Sequence, residues 1–411
     1  MRYSLPQRRM LAENALPMPL KDFGFQYAAA AIVAFLFAST APVAIILSVG
    51  ARGGLSESDI ASWIFAAFFV NCAISIGFTL VYRQPLVFLW SIPGSVLVGP
   101  ALGHLSFREV IGAFLATGVL MLLLGLSGWV RRAMAAVPMP IVMAMVAGVF
   151  LRFGIELVLA FRDGLWIAAP MTAVFFAVGL LKIERLLPPL IAALVVGAFA
   201  VGLLGAFKPP PGALFALAAP NLYLPQFSWA AMFELVVPLA ITVLAVQNAQ
   251  GIAILTTNGH QPPVNAITAA CGAGSIVTGF FGAVSTCLTG PVNAVLSGTG
   301  EKHRQYIGAL LFAALGLAFG LLAPFFTRLL LATPPAFIAA LAGLAMLRVL
   351  QSAFTASFGG RFSFGALVCF LVTVADVPIL QIGAPFWGLV FGLAATLVSD
   401  ERRYWGEERR K

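Results

Sequence analysis

The stretch LVFLWSIPGSVLVG, residues 86–99, interrupts a pattern that otherwise runs through the whole chain. Most apolar stretches continue for about twenty residues, the length of a helix that crosses a bilayer. This one carries Pro93 and Gly94 at its centre, flanked by Ser91 and Ser95. A helix broken at membrane depth leaves backbone polar groups without partners, which is tolerated only where they line a cavity. The break therefore predicts a binding cavity.

The composition indicates the class of protein. Of 411 residues, 61% are hydrophobic and 9% are charged, whereas a soluble domain has roughly 25% charged residues. The mean hydropathy is +1.00. Apolar runs recur from residue 25 to 399, and the sequence lacks the segments of about ten alternating residues that build a membrane β-barrel. We therefore predict an all-α polytopic membrane protein.

The charges orient the predicted helices. Apolar segments bounded by charges, prolines or polar loops number about fourteen. With the N-terminus inside, eighteen of the 24 Lys and Arg residues fall on the inner side, which is the bias of cytoplasmic loops. We predict a multi-pass protein of the cell inner (plasma) membrane with both termini cytoplasmic. The net charge of +9 is spread over the ends of spans rather than gathered in one patch, so nucleic acid is not an expected partner.

A repeat relates the two halves of the chain. REVIGAFL at 108–115 matches RQYIGALL at 304–311, a shift of 196 residues, and the same shift pairs Arg152 with Arg348. Seven spans separate the members of each pair. Because seven is an odd number, the two halves must face opposite sides of the membrane. An inverted repeat of this kind is typical of secondary transporters.

The break in the third span has a counterpart in the tenth. Pro93 corresponds, at a shift of 198, to Pro291 within AVSTCLTGPVNAVLSG at 283–298. Each segment has a run of β-branched or small residues, then Pro or Gly, then a short apolar stretch. We predict about 14 transmembrane spans in a 7+7 inverted repeat, with spans 3 and 10 each broken into a short strand and a half-helix. Two half-helix N-termini at the membrane midplane form an anion site.

Four longer motifs resemble the benzoate–proton symporter (BenE) family. They are ASWIFAAFF at 61–69, YRQPLVFLWSIPGSVLVG at 82–99, VQNAQGIAILTTNGHQPPVNAITAACGAGS at 246–275 and FFGAVS at 280–285. The resemblance implies the seven-plus-seven fold of nucleobase and sulfate-type anion transporters, with a core of spans 1–4 and 8–11, a gate of spans 5–7 and 12–14, and a homodimer. It also implies these divisions: cytoplasmic N-terminal segment 1–24, core 25–133, gate 134–208, outer loop 209–228, core 229–328, gate 329–399, basic cytoplasmic tail 400–411.

The function that this resemblance implies is proton-coupled symport of a small organic anion. Val284 stands where the family has a His, and Gly290–Pro291 interrupts the tenth span. Because these departures lie in a segment that should contact the substrate, we do not restrict the expectation to benzoate itself. We expect benzoate or a related small aromatic or organic carboxylate, carried into the cell with a proton. The alternatives are a nucleobase or inorganic-anion transporter of the same fold and, less expected, a membrane-embedded enzyme, for which the spans lack a base and a nucleophile.

The predicted substrate-binding residues are small or polar and lie near the middle of spans 1, 3, 8 and 10: Ser39, Thr40, Ser91, Gly94, Ser95, Gln247, Asn248, Gln250, Gly251, Thr289, Gly290 and Asn293. Alternatives exist for several. The amides of span 8 also suit interhelical hydrogen bonds, and Ser39 and Thr40 also suit bonds to their own helix backbone. Trp90 suits either stacking on a substrate ring or packing.

Ionisable residues inside spans are candidates for function because their burial is costly. Glu234 and Asp376 are the proton-coupling candidates, and an interfacial or capping role is the alternative for each. The three histidines map to loops, and the four cysteines fall in apolar segments without CxxC spacing. No metal, cofactor or catalytic residue is therefore expected.

Overall fold

A computed structural model describes residues 22–130, 138–182, 188–208, 215–380 and 382–399 of the chain. The first half contains these elements: α1 Phe25–Ser39, α2 Ala41–Arg52, α3 Glu57–Phe65, a π-helical turn Ala66–Val70, α4 Asn71–Tyr82, β1 Phe88–Trp90, α5 Ile92–Ala101, α6 Phe107–Ser127, α7 Met139–Asp163, α8 Leu165–Leu180 and α9 Pro189–Leu203.

The second half repeats this order. Its elements are α10 Trp229–Ala231, a π-helical turn Met232–Val236, α11 Val237–Ile241, a π-helical stretch Thr242–Asn248, α12 Ala249–Thr257, α13 Val264–Phe280, β2 Thr286–Leu288, α14 Gly290–Ser297, a 3₁₀ turn Lys302–Arg304, α15 Gln305–Leu321, α16 Ala323–Leu331, α17 Pro335–Phe358, α18 Ser363–Ala375 and α19 Ala384–Val398.

These elements form fourteen membrane segments, which confirms the predicted fold class. Seven helices are long and apolar enough to cross a membrane, and six shorter apolar helices accompany them. The half-helix α14 in span 10 is the fourteenth segment. Span 1 joins α1 and α2, spans 2 and 8 continue through their π-helical turns, and span 11 joins α15 and α16. The predicted tail 400–411 and most of the segment 1–24 lie outside the described residues.

Local sequence signals explain where the helices begin. Ser56 and Ser106 each accept a hydrogen bond from the third backbone N–H of the following helix, and an acidic residue there bonds back, which forms a capping box. Pro335 begins span 12 at the first helical position, where proline loses no hydrogen bond.

The broken spans 3 and 10 meet in a two-stranded antiparallel sheet. Phe88 pairs with Leu288, and Trp90 pairs with Thr286. The Ser91 N–H extends the ladder by donating to the carbonyl of Ser285. Because the strands run in opposite directions, the half-helices α5 and α14 leave the sheet in opposite directions. This is the geometry that the inverted repeat predicts.

Glycines allow the closest helix crossings. A Cβ at Gly272 in span 9 would lie 2.3 Å from the backbone nitrogen of Leu122 in span 4. A Cβ at Gly343 in span 12 would lie 2.6 Å from Cβ of Leu157 in span 5. Small residues at such crossings let membrane helices pack backbone to backbone. Spans 4 and 9 therefore pack tightly together, as do spans 5 and 12.

Candidate functional site

The two half-helices present their N-terminal ends differently. In span 3, the Ser91 hydroxyl accepts a hydrogen bond from the N–H of Gly94 at 3.0 Å and so caps α5. In span 10, Thr289 occupies the same capping position of α14 but its side chain makes no cap bond. First-turn N–H groups have no partner within a helix. The end of α14 is therefore the more open donor site for an anion.

A cavity of about 460 Å³ lies at the N-terminal ends of both half-helices, α5 and α14. We call it the central cavity. Its walls come from spans 1, 3, 5, 8, 10 and 12 and are mostly apolar: Phe37, Trp90, Ile92, Pro93, Met139, Met143, Val146, Phe150, Pro291 and Val292. Five polar side chains join them: Gln247, Gln250, Thr289, Arg348 and Ser352. A mostly apolar pocket with a few converging polar groups is the usual form of a small-molecule site.

Three of the predicted residues line this cavity directly, namely Gln247, Gln250 and Thr289. Among the described residues, neither glutamine amide has a hydrogen-bond partner, although Gln247 is only 7% exposed. The predicted Gly290 lies against Gln250, since a Cβ there would come within 2.5 Å of the Gln250 Oε1 atom. The absence of a side chain at 290 thus makes room for the amide of Gln250.

Glycines 94 and 251 serve close packing. A Cβ at Gly251 would lie 3.0 Å from the carbonyl of Leu288 in β2, so glycine lets span 8 approach the strand. A Cβ at Gly94 would lie 3.0 Å from Leu239. Both residues therefore lie beside the cavity walls rather than in them.

Other predicted residues bond to the backbone nearby. The hydroxyls of Ser39 and Thr40 donate to the carbonyls of Phe35 and Leu36 in their own helix, each at 2.8 Å. The Ser95 hydroxyl is fully buried and donates to the Ser91 carbonyl at 3.1 Å. In this conformation these hydroxyls do not line the cavity.

The two predicted asparagines hold the strands. The Asn248 Oδ1 atom accepts from the N–H of Leu288 at 2.8 Å. The Asn293 Oδ1 atom accepts from the N–H of Val87 at 3.0 Å, and its Nδ2 atom donates to the carbonyl of Thr289 at 2.7 Å. Both side chains are buried. They position the donor ends of the site without facing the cavity.

Arg348 is a site residue that our sequence reasoning missed. It lies in the C-terminal half of span 12, lines the central cavity and donates to Gln351 on the same helix at 3.3 Å. Among the described residues it has no acidic partner within ion-pair distance. From the sequence, Arg348 was one of the inner-side charges and the repeat partner of Arg152, and it was not among the predicted binding residues. Its position inside an apolar span was the signal that marks it as functional.

The proton-coupling candidates lie away from the central cavity. Glu234 is buried in the π-helical turn of span 8, and its carboxylate is 2.8 Å from Nε2 of His104. It also accepts a bond from the backbone N–H of Gly383, before span 14. Asp376 follows span 13, 3.8 Å from the guanidinium of Arg152. Burial raises the pKa of Asp376, and the charges of Arg152 and His104 act against that rise.

Metal ligands are not gathered here. Within the described part of the chain, no three His, Cys, Asp or Glu side chains come together as a metal ion would require. The site therefore offers amide, hydroxyl, guanidinium and backbone N–H donors to a ligand.

Comparisons with known sequences cover nearly the whole chain. The sequence model described as "Benzoate membrane transport protein" (BenE) matches residues 22–398. The inner membrane protein YdcO of Escherichia coli (strain K12) is 30% identical over 394 residues, which cover 91% of this chain and 97% of that protein. A benzoate membrane transport protein of Acinetobacter baylyi is 27% identical over 387 residues, 92% of this chain and 96% of that protein.

Solved structures share the fold at low sequence identity. SLC26A9 aligns with a TM-score of 0.64 and 14% identity, over 92% of this chain and 66% of that one. The transmembrane domain of the cyanobacterial bicarbonate transporter BicA aligns with a TM-score of 0.57 and 14% identity, over 90% of this chain and 98% of that one. At this identity the similarity shows the 7+7 fold alone.

Proposed function

The chain belongs to the BenE family of benzoate membrane transport proteins, and from this premise we propose that it is a secondary active transporter. Its substrate is benzoate or a related small aromatic carboxylate, carried into the cell with a proton. The observation that carries the proposal is the central cavity itself. It joins an apolar space of about 460 Å³ to two half-helix N-termini and the guanidinium of Arg348.

The cavity suits the two parts of such a substrate. An aromatic ring packs among Phe37, Met143 and Phe150. The carboxylate faces the uncapped end of α14, where Thr289 and the backbone supply donors, and Arg348 supplies the charge. Donors and charge at a helix N-terminus favour an anion.

Transport requires the cavity to open on each side in turn. We propose that spans 1–4 and 8–11 act as a core and that spans 5–7 and 12–14 act as a gate. The central cavity lies between these groups of spans. Rocking of one group against the other around a fixed midplane site is the usual mechanism of such repeats.

Proton coupling gives the transport its direction. An anion alone is driven out of a cell that is negative inside, so accumulation requires a coupled cation. We propose Glu234, in contact with His104 and Gly383, and Asp376 as the candidate proton carriers. The remaining route is a proton that travels on the substrate carboxylate itself.

Two rival substrates fit the cavity less well. An inorganic anion needs no ring-sized apolar wall. A nucleobase presents ring N–H donors, for which an ionised carboxylate is the strongest side-chain acceptor. Within the described residues no Asp or Glu lines the central cavity, and the neutral amide oxygens of Gln247 and Gln250 are the weaker acceptors there. An aromatic carboxylate uses both the apolar walls and the donors. The family and the Acinetobacter baylyi relative are both described as membrane transport proteins, which also argues against an enzyme.

The test is uptake of radiolabelled benzoate into liposomes that contain the purified protein. An inward proton gradient should drive accumulation, an uncoupler should abolish it, and unlabelled benzoate should compete far better than uracil or bicarbonate. Benzoate accumulation that is unchanged by the uncoupler would contradict proton symport. Equal competition by bicarbonate would instead favour an inorganic-anion carrier.

We further propose an inner-membrane location, cytoplasmic termini and a homodimer. The four native cysteines are buried, so a single cysteine introduced at Lys302 reports sidedness without background. It should resist an impermeant maleimide added outside intact cells, whereas a cysteine at Lys208 should react. The reverse labelling pattern would overturn the proposed orientation.

The proposed homodimer is tested by light scattering of the purified protein. The mass of a monomer would overturn it.

A further inference from the structure

The structure contains a second cavity at the opposite end of the groove between spans 1 and 5. Its volume is about 410 Å³, close to that of the central cavity. Its walls include Arg52 at the end of span 1, Arg152 in span 5, Gly99 near the end of the half-helix α5, Thr373 in span 13 and Asp376 directly after span 13. In the proposed topology this is the outer side of the membrane.

An ion pair closes this end of the groove. Arg52 of span 1 bonds to the carboxylate of Glu156 in span 5. Its guanidinium is also fixed by Ser48, whose hydroxyl and carbonyl accept from Nη2 at 2.8 Å and from Nε at 3.1 Å. It lies 5.5 Å from the ring centre of Phe153. Span 1 is therefore attached to span 5 through one pre-oriented arginine.

The other charged residues of the second cavity, Arg152 and Asp376, belong to span 5 and to the segment after span 13. Arg152 lies 3.5 Å from Glu156 on its own helix and 3.8 Å from Asp376. If span 1 moves away from span 5, Glu156 keeps Arg152 as a partner, since the two are four residues apart on one helix. Arg52 then keeps its bonds to Ser48 on its own span but loses the carboxylate of Glu156.

The residue that corresponds to Glu156 in the other half of the repeat makes no such ion pair. The repeat shift of 196 that relates Arg152 to Arg348 also relates Glu156 to Ser352. Ser352 lines the central cavity, and its hydroxyl donates to the carbonyl of Arg348 at 2.9 Å. The acid is thus present in one half of the repeat and replaced by an uncharged side chain in the other.

We propose that the second cavity is an outer docking site for the substrate carboxylate, in which Arg52 is the ligand and Glu156 is a built-in competitor. This inference rests on the proposed function. When the outer side is closed, the carboxylate of Glu156 forms the ion pair with the guanidinium of Arg52. When the outer side is open, the carboxylate of the incoming substrate forms that ion pair instead. Because Ser352 stands at the related position on the inner side, the repeat does not provide the same ion pair there.

The first experiment measures which side is open. A cysteine at Gly99 reports the second cavity, where its Cβ would meet only ordinary contacts with Val49 at 3.8 Å, and a cysteine at Ser352 reports the central cavity. The variant Glu156→Gln should increase maleimide labelling at position 99 severalfold and decrease it at position 352. Asp163→Asn is the matched control, because it removes an exposed acid from the same helix and should change neither rate.

The second experiment measures docking from outside, with benzoate as the probe in cells and in inside-out vesicles. Arg52→Gln should raise the external half-saturating concentration about tenfold, as expected for a lost charged hydrogen bond, and leave the internal value within twofold. Glu156→Gln should lower the external value severalfold. Both substitutions are at partly exposed side chains, so folding should survive, and a thermal melt of each variant checks this.

The outcomes separate the two proposals. Failure of the unmodified protein to transport benzoate contradicts the proposed function. Normal transport with an external half-saturating concentration unchanged by Arg52→Gln overturns the docking site. Labelling rates unchanged by Glu156→Gln overturn the role of Glu156 as competitor and lock.

Discussion

Ser75 in span 2 and Ser275 in span 9 make the same pair of hydrogen bonds in the two halves of the chain. The Ser75 Oγ atom accepts from the N–H of Phe88 at 2.8 Å, and the Ser275 Oγ atom accepts from the N–H of Thr286 at 2.9 Å. Each hydroxyl also donates to the carbonyl four residues earlier in its helix, at 2.7 Å. Together they anchor β1 and β2 at related points, which holds both half-helices in place.

Replacing either serine by alanine should destabilise the protein. Ser75→Ala or Ser275→Ala leaves a buried strand N–H without a partner, which costs about 1 to 3 kcal/mol. The measurement is the melting temperature in detergent, with Ser39→Ala as the control because its hydroxyl bonds only within its own helix. A loss no greater than that of the control would show that the strands do not depend on these bonds.

Gly290→Ala should weaken benzoate binding by displacing Gln250, whose Oε1 atom would lie 2.5 Å from the new Cβ. Gly290→Val should abolish binding in a protein that still inserts. Calorimetric titration checks both, with Gly77→Ala as the control, since nothing lies within 4 Å of a Cβ there. In a Gln250→Ala background the effect of Gly290→Ala should shrink; an undiminished effect would exclude Gln250 as the cause.

Gln247→Ala and Asn248→Ala should separate binding from stability. The Gln247 amide lines the cavity and has no hydrogen-bond partner within the described part of the chain, so its loss should weaken binding by about 1 to 3 kcal/mol with an unchanged melting temperature. The Asn248 amide holds the N–H of Leu288, so its loss should lower the melting temperature. Binding within twofold of normal in Gln247→Ala would assign that residue to packing.

Arg348→Gln should weaken benzoate binding by about 1.5 to 3 kcal/mol, the range for a hydrogen bond to a charged group. Arg348→Lys should recover part of the loss because it keeps the charge without the planar fork. Arg162→Gln removes an exposed arginine far from the cavity and should bind normally. Normal binding by Arg348→Gln would remove this residue from the site.

Glu234→Gln should uncouple transport from protons while leaving benzoate exchange intact. The neutral amide keeps the size of the side chain but cannot gain or lose the proton that alters its bonds to His104 and Gly383. Benzoate-driven proton uptake and benzoate counterflow measure the two activities, with Asp376→Asn in parallel. Coupled uptake in both variants would mean that neither carboxyl carries the proton.

The architecture was accessible from the sequence because it follows from short-range rules. A span needs about 20 apolar residues, and seven spans, an odd number, fall within the shift of 196 between matching segments, so the two halves face opposite sides of the membrane. Pro93 and Pro291 broke two spans at related points, so the strand and half-helix in each were predicted. The pairing of β1 with β2 then follows from the inverted repeat.

Which side chains face the central cavity could not be predicted from the sequence in the same way. Gln247 and Asn248 are neighbours, yet one amide lines the cavity and the other bonds to β2. Both lie in the π-helical stretch Thr242–Asn248, whose wider turn rotates the following residues relative to an α-helix. Periodicity along the sequence cannot anticipate that rotation.

By itself, then, the sequence determined the membrane class, the fourteen spans, the inverted repeat and the two breaks, since hydropathy and helix-breaking residues act locally. Tertiary structure alone decided that Arg348 lines the central cavity, that Arg52 bonds to Glu156 across the groove, and that Asn293 supports a strand. Each of these depends on which face of a helix meets which neighbour. Packing of spans far apart in the chain sets that choice.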